Sequence, residues 1–415
     1  MAYHLIGHPL GHSCSPALHR LLGNPDYGLL DLPEDEVEAF ILAKGYDGLN
    51  VTIPYKRKAA ALMDVLTDRA RETGAVNTVV RTPDGKLLGD NTDIDGLTQL
   101  AAKAGVTLKD RRVLILGTGG TAQTAAYVAR KSGAASVRQV SRTGALNYGN
   151  VYGQASDADV LINATPVGMS PDFDGQPADL SRFPALKGVL DVVYNPLRTA
   201  LTEQARALGI PCANGLRMLA EQARTAEELF TGKAVSEEAA SRAYRELRRS
   251  LASIVLIGMP GCGKSTVGKV IAAAMGRPFL DTDRMIVQAC GMEIPEIYAK
   301  YGEARFRELE AEAVREASAR QGAVIAVGGG APLRPENRAH LRRNGWICLM
   351  RRPLDKLDRA GRPLSASDGA LARMAELREP YYTSLAEAEA SNGSSVDDCA
   401  KRIMEAFESH ADSGD

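Results

Sequence analysis

The stretch Gly258-Met259-Pro260-Gly261-Cys262-Gly263-Lys264-Ser265 constrains its surroundings more than any other part of the chain. A short apolar run, Ser253 to Ile257, leads straight into it, and a helical pattern, Val267 to Met275, follows. Strand, glycine-rich loop and helix form the setting in which backbone N–H groups converge on phosphate oxygens and the helix dipole favours negative charge. Lys264 would then reach the β- and γ-phosphates and the Ser265 hydroxyl would sit on Mg²⁺, with Gly261, Gly263 and Thr266 completing the grip on ATP. A purely structural glycine turn does not require Gly, Lys and Ser together in this order. The motif implies nucleotide-dependent phosphoryl transfer by an α/β domain starting near Leu251.

One hydrophobic core does not usually serve 415 residues, so two or three domains are expected. Charged residues make up 24% of the chain and apolar ones 45%, with a formal net charge of −1, the balance of an ordinary globular protein. That leaves no face-sized basic excess for nucleic acid. No apolar run approaches the roughly 20 residues of a membrane span, and Met1 to Leu10 holds two histidines and a proline where a signal peptide has its apolar core. The expected location is cytoplasmic, with no membrane partner. Cys14, Cys212, Cys262, Cys290, Cys348 and Cys399 are scattered without a Cys-x-x-Cys pair, which points to buried structural thiols. His4, His8 and His12, with His19 beyond, have a spacing that could suggest metal ligands on a helix, but Gly7, Pro9 and Gly11 break any helix there.

Short β-branched runs alternate with longer amphipathic stretches almost throughout, the pattern of an α/β protein with parallel sheets. Residues 1–97 form a first block, with strands at Tyr3 to Ile6, Gly48 to Ile53 and Thr78 to Val80 and helices from near Ser15, Glu34 and Lys58. Residues 98–214 form a second, with strands at Arg112 to Leu116, Ser136 to Val140, Val160 to Asn163 and Val189 to Val193. Helices within about 215–250 are expected to complete the first block and connect to the third, 251–407; the polar tail 408–415 reads as disordered.

In the third block, Phe279 to Asp283 reads as a strand end carrying Asp281 and Asp283, two apart and so facing one way, one toward Mg²⁺ and one toward an acceptor hydroxyl. Helix capping is the bland role of such residues. Val324 to Val327 opens into Gly328-Gly329-Gly330, where the lack of side chains lets backbone approach a ligand. With Phe306-Arg307, Arg362-Pro363-Leu364, Arg378 and Pro380, the ordered set resembles the shikimate kinase family over nearly the whole block. The resemblance implies a nucleoside-monophosphate-kinase-like fold, Arg307 and Arg378 on the shikimate carboxylate, Asp283 and the Gly329 region on ring hydroxyls, Asp281 assisting Mg²⁺, and Arg362 on a lid over ATP. A planar guanidinium pair suits a carboxylate, and Glu310, one turn beyond Arg307, is placed to orient it.

In the second block, the strand Arg112 to Leu116 runs into Gly117-Thr118-Gly119-Gly120-Thr121-Ala122 and a helix, a dinucleotide fingerprint in its proper context. After the next strand, Ser141-Arg142-Thr143 offers a cation and hydroxyls suited to a 2′-phosphate, which selects NADP over NAD. The interval from Arg142 to Val160 is short, so this cofactor domain is abridged. In the first block, Ser13 and Ser15 offer hydroxyls at a helix start, an anion site or simply a cap. Asn50-Val51-Thr52, Lys56, Asn77 and Asp93 add amides, a cation and a carboxylate.

With Asn163 to Met169, Tyr194-Asn195-Pro196 and Gln222, residues 1 to about 233 resemble shikimate dehydrogenase. The resemblance implies a two-domain dehydrogenase, an α/β substrate domain plus a Rossmann-like NADP domain. It puts Ser13 and Ser15 on the substrate carboxylate, Asn50, Thr52, Asn77 and Gln222 on ring hydroxyls, Tyr194 in the substrate site, and Lys56 with Asp93 as the catalytic pair. The expected protein is a bifunctional enzyme of aromatic biosynthesis, acting on 3-dehydroshikimate and then shikimate with NADPH, ATP and Mg²⁺. A quinate/shikimate dehydrogenase fused to a small-molecule kinase, and a ligand sensor without catalysis, are the alternatives.

Overall fold

The computed structural model describes residues 3–11, 13–358, 368–393 and 395–412. The chain divides into two compact units, Met1–Leu247 and Arg248–Asp415. The division falls inside the helix Glu237–Leu251, slightly before the Ser250 boundary expected from sequence. This helix has no Gly or Pro to stop it, and it buries Ala240, Ala243, Tyr244 and Leu247.

The first unit contains two sheets. One has six strands in the order Tyr27–Asp31, Tyr3–Gly7, Gly48–Val51, Thr78–Arg81, Leu87–Asp90, Val65–Leu66. Thr78–Arg81 pairs antiparallel with both neighbours, so this sheet departs from purely parallel pairing. A tight hairpin at Thr82 to Lys86, closed by Gly85 N donating to Thr82 O at 2.9 Å, turns Leu87–Asp90 back on Thr78–Arg81. The other sheet has five parallel strands in the order Cys212–Ala213, Gly188–Asp191, Val160–Asn163, Arg112–Leu116, Ser136–Val140. Only the four-residue helix Val151–Gln154 occupies the abridged interval.

Two helices tie these sheets together, Asp93–Lys103 and Leu216–Thr231. They pack so closely that a Cβ on Gly96 would lie 2.5 Å from the Met218 carbonyl. The Leu216–Thr231 helix also returns to the first sheet, where Phe230 lies over Tyr3, ring centroids 5.1 Å apart, and fills the space a side chain at Gly48 would need.

The second unit has one parallel sheet, ordered Phe279–Asp281, Val324–Ala326, Ser253–Ile257, Gly345–Arg351, Ala388–Ser391. Its core includes Ile254, Leu256, Val267 and Ile271, with Trp346 edge-on to Phe407 at 5.5 Å. The final helix runs Val396–Asp412, so residues 408–412 are helical and not the disordered tail expected. Cys399, Ile403 and Phe407 are buried at helical spacing, and that face carries the polar end along as further turns.

Candidate active sites

In the first unit the helix Lys56–Ala61 begins at Lys56 and Asp93–Lys103 begins at Asp93. The two residues form an ion pair, with side chains 12% and 8% exposed. Asn77 Nδ2 donates to Asp93 Oδ1 at 2.9 Å and to Thr92 Oγ1 at 3.0 Å, and Gln222 Oε1 lies 3.4 Å away. Thr92 N donates to Asn77 Oδ1 at 2.7 Å, which fixes the amide's orientation. Asn50 on the neighbouring strand is buried, and Thr52 follows it half-buried. Ser13 and Ser15 meet at the start of the Ser15–Leu21 helix, Ser13 Oγ donating to Ser15 Oγ at 3.2 Å. Tyr194 bonds to the Ser13 side chain and the Cys14 backbone, and burial pushes its phenol up to about 12. The structure thus brings Lys56, Asp93, Asn77 and Gln222 together, with Asn50 Nδ2 donating to Asn77 O at 3.1 Å, and separately gathers Ser13, Ser15 and Tyr194. His4, by contrast, stays in its strand, His8 pairs with Asp31 at 2.6 Å, and His12 lies outside the described residues.

The turn Gly117 to Gly120 opens the helix Gly120–Lys131 at the C-terminal edge of the five-stranded sheet, where such sheets bind ligands. A Cβ on Gly120 would touch Lys56 Cβ and Cδ at 3.7 Å, so the turn and the Lys56–Asp93 pair adjoin. Gly119 faces open space, Thr121 is half-buried and Ala122 packs into the core. Arg142 and Thr143 are exposed, while Ser141 Oγ accepts from Gly144 N at 2.6 Å and keeps its own hydrogen to donate. The donors and the open turn fit a phosphorylated dinucleotide.

In the second unit a cavity of ≈ 610 Å³ is lined by Gly261, Gly263, Lys264, Ser265 and Thr266 together with Asp283, Arg307, Gly329 and Arg378. Gly263 has φ +99°, a conformation an L side chain rarely adopts, and a Cβ there would collide with Asn392. Lys264 Nζ folds back on Gly258 O at 2.9 Å and Met259 O at 3.0 Å. Arg307 donates to Glu310 Oε2 at 2.8 Å and to Glu303 Oε1 at 3.1 Å. Glu310 is 1% exposed, and burial pushes its carboxyl above the ordinary range against the pull of Arg307. Arg378 bonds to the Tyr382 side chain, yet its Nη1 is buried with no partner among the described residues. Arg352 Nε, in the wall of the same cavity, is also buried without a partner among the described residues. Buried donors left without acceptors are costly, so the cavity fits anionic ligands such as ATP and a carboxylate.

These geometries agree with known proteins. A family model described as "Shikimate dehydrogenase substrate binding domain" matches residues 5–79, and one described as "Shikimate kinase" matches residues 260–408. A "Shikimate dehydrogenase (NADP(+))" of Symbiobacterium thermophilum is 33% identical over 287 residues, covering 62% of this chain and 95% of that protein. The chain belongs to the shikimate dehydrogenase family. Its C-terminal unit carries a shikimate kinase domain. The dehydrogenase of Thioalkalivibrio sulfidiphilus is 38% identical over 256 residues, covering 55% of this chain and 93% of its own. Among solved structures, a chorismate mutase/shikimate 5-dehydrogenase fusion from Clostridium acetobutylicum superposes with TM-score 0.56 at 30% identity, over 59% of this chain and 96% of its own. Shikimate 5-dehydrogenase from Thermus thermophilus, solved with NADP(H) and shikimate, gives TM-score 0.53 at 31% identity, over 60% and 100%.

In the shikimate kinase domain one expectation needs correction. The strand Phe279–Asp281 ends at Asp281, and Asp283 belongs to the helix Thr282–Cys290. Asp281 Oδ1 accepts from Asp283 N at 3.1 Å and Arg284 N at 3.3 Å, so strand alternation does not align the two carboxylates; a helix cap does. The three glycines line the cavity, and their lack of side chains also leaves room for residues around it. A Cβ on Gly328 would meet Asp283 Oδ1 at 2.7 Å and Glu310 Oε1 at 2.8 Å, and one on Gly330 would collide with Arg307. Arg362 lies outside the described residues. Sequence reasoning missed Arg352 and Tyr382, whose hydroxyl donates to Gly329 O at 2.6 Å. Arg352 directly follows the buried strand Gly345–Arg351, which pairs with the strand leading into the phosphate loop, and that position is the signal that could have revealed it.

Proposed function

We propose that the first unit reduces 3-dehydroshikimate to shikimate with NADPH and that the second phosphorylates the shikimate 3-hydroxyl with MgATP, two consecutive steps of aromatic amino-acid and chorismate biosynthesis. The supporting observation is that one chain holds a buried Lys56–Asp93 pair against a dinucleotide turn and a phosphate loop that lines one cavity together with Arg307 and Arg378.

When bound, NADPH supplies the hydride and MgATP the phosphoryl group. Ser13, Ser15 and Tyr194 hold the substrate carboxylate, while Asn50, Thr52, Asn77 and Gln222 orient its ring. Lys56 Nζ donates to the carbonyl oxygen as negative charge develops there, and Asp93 keeps the ammonium aimed. Gly117, Gly119, Gly120, Thr121 and Ala122 hold the pyrophosphate, and Ser141, Arg142 and Thr143 the 2′-phosphate. In the kinase, Arg307 and Arg378 grip the carboxylate, the Gly329 region orients ring hydroxyls, and Asp283 takes the proton of the attacking one. Lys264 and Arg362 offset charge on the transferring group, and Ser265 with Asp281 would hold Mg²⁺. On this reading residues 1–97, completed from 215–250, bind substrate, 98–214 bind NADP and 251–407 form the kinase. We assign both reactions to the cytoplasm.

A coupled assay tests the proposal: 3-dehydroshikimate with NADPH, followed by the loss of reduced-nicotinamide absorbance, then MgATP and detection of shikimate 3-phosphate. Folded protein that makes no shikimate refutes the dehydrogenase half, and folded protein that makes no shikimate 3-phosphate from supplied shikimate refutes the kinase half.

A further inference from the structure

Behind the residues assigned to the dehydrogenase pocket lies a second, fully enclosed polar group. His19, 0% exposed, places Nδ1 2.5 Å from Glu227 Oε1 on the Leu216–Thr231 helix, and Asn24 Nδ2 donates to the same oxygen at 2.9 Å. The imidazole lies flat on the Tyr27 ring, centroids 3.7 Å apart and planes within 4°. The Tyr27 hydroxyl then donates to Asn50 Oδ1 at 2.8 Å. Burial and the Glu227 charge push that phenol well above its ordinary pKa, so it remains a donor.

The consequence falls on Asn50. Its Nδ2 gives both hydrogens to protein acceptors, Asn77 O at 3.1 Å and Thr78 Oγ1 at 3.0 Å. A flipped amide would set its oxygen against the Asn77 carbonyl, acceptor against acceptor. The only capacity Asn50 retains is a lone pair on Oδ1. We propose that Tyr27, braced by the His19–Glu227 pair, is a positioning residue that presents Asn50 to the substrate as an acceptor only, so that this point of the pocket selects a hydroxyl that donates. The inference rests on the dehydrogenase reading above and specifies how one of its contacts discriminates.

Tyr27→Phe keeps the ring on His19 and removes only the donor. Loss of one hydrogen bond predicts a KM for 3-dehydroshikimate raised about 3- to 10-fold, with kcat and NADPH affinity unchanged. His19→Gln should shift KM the same way. The discriminating measurement uses ring analogues in which each hydroxyl in turn is replaced by hydrogen or by fluorine. With wild type, one position should lose binding equally for both replacements, because fluorine cannot donate; at that position Tyr27→Phe should add no further penalty. A merely structural role would raise KM for all analogues alike, and that result overturns the proposal. So does a fluoro analogue that binds like the parent at every position, which wild type alone reveals even if the variants fail to fold. Wild type that does not turn over 3-dehydroshikimate refutes the dehydrogenase reading; active wild type with an unchanged Tyr27→Phe refutes only this inference.

Discussion

At the residue scale Lys56 carries the sharpest expectation. Its ammonium is held by Asp93 within a site that excludes most water, and general acid–base groups so placed typically contribute about 10²- to 10⁴-fold. Lys56→Ala should lower kcat for 3-dehydroshikimate reduction by that order, while phosphorylation of supplied shikimate proceeds at the wild-type rate. Arg142 is exposed beside the dinucleotide turn, with no ion pair among the described residues. Arg142→Ala should raise KM for NADPH by about tenfold, the scale of a charge-assisted hydrogen bond, and leave turnover with NADH unchanged. Arg142 stands out in the sequence as a cation where NAD proteins carry an acid, whereas Lys56 is singled out only by the resemblance of its surroundings to shikimate dehydrogenase, since a Lys past a strand end is usually just solvated. Tyr27 and His19 do not stand out, because they act through stacking and burial that sequence spacing does not display. Asp281 was legible as a site residue but not in its geometry, since a cap and a strand end look alike until the backbone is traced.

At the scale of elements, apolar β-branched runs such as Arg112 to Leu116 and Ser253 to Ile257 could be read directly, as buried parallel strands have few alternatives. Leu87–Asp90 was hidden by its Gly and Asp, although Pro83-Asp84-Gly85 before it is a turn signal. Strand ends in the cofactor sheet are locked by Asp191, which accepts from Thr199 Oγ1 at 2.7 Å, Asn163 Nδ2 at 2.9 Å and Val193 N at 3.0 Å. Burial outweighs these donors and pushes the carboxyl from 3.8 up to about 6. The folded state thus binds this proton more tightly than the unfolded chain. The stabilisation is full below the unfolded value and is lost as pH rises through about 6. Asp191→Asn cannot ionise, so thermal melts should show the variant gaining on wild type between about pH 4 and 7. A pH-independent difference in Tm would contradict this.

At the scale of the molecule, each catalytic group proposed above falls within one compact unit, Met1–Leu247 or Arg248–Asp415. The sequence shows three blocks, of which the first two lie in one compact unit, and puts a boundary near Ser250, whereas the compact units divide inside Glu237–Leu251, as an uninterrupted helix carries no punctuation. If each site is complete in its unit, the two activities should complement between chains. Lys264→Ala should abolish phosphorylation and leave the dehydrogenase intact, the reverse of Lys56→Ala. Neither variant alone should convert 3-dehydroshikimate to shikimate 3-phosphate, but an equimolar mixture should, after a lag while free shikimate accumulates to the kinase's KM. Shortening of that lag in the intact protein, at equal activities, would measure direct transfer between the two sites. Equal lags would mean that the fusion delivers shikimate through solution, and a mixture that makes no product would show that a site requires the other unit in its active form.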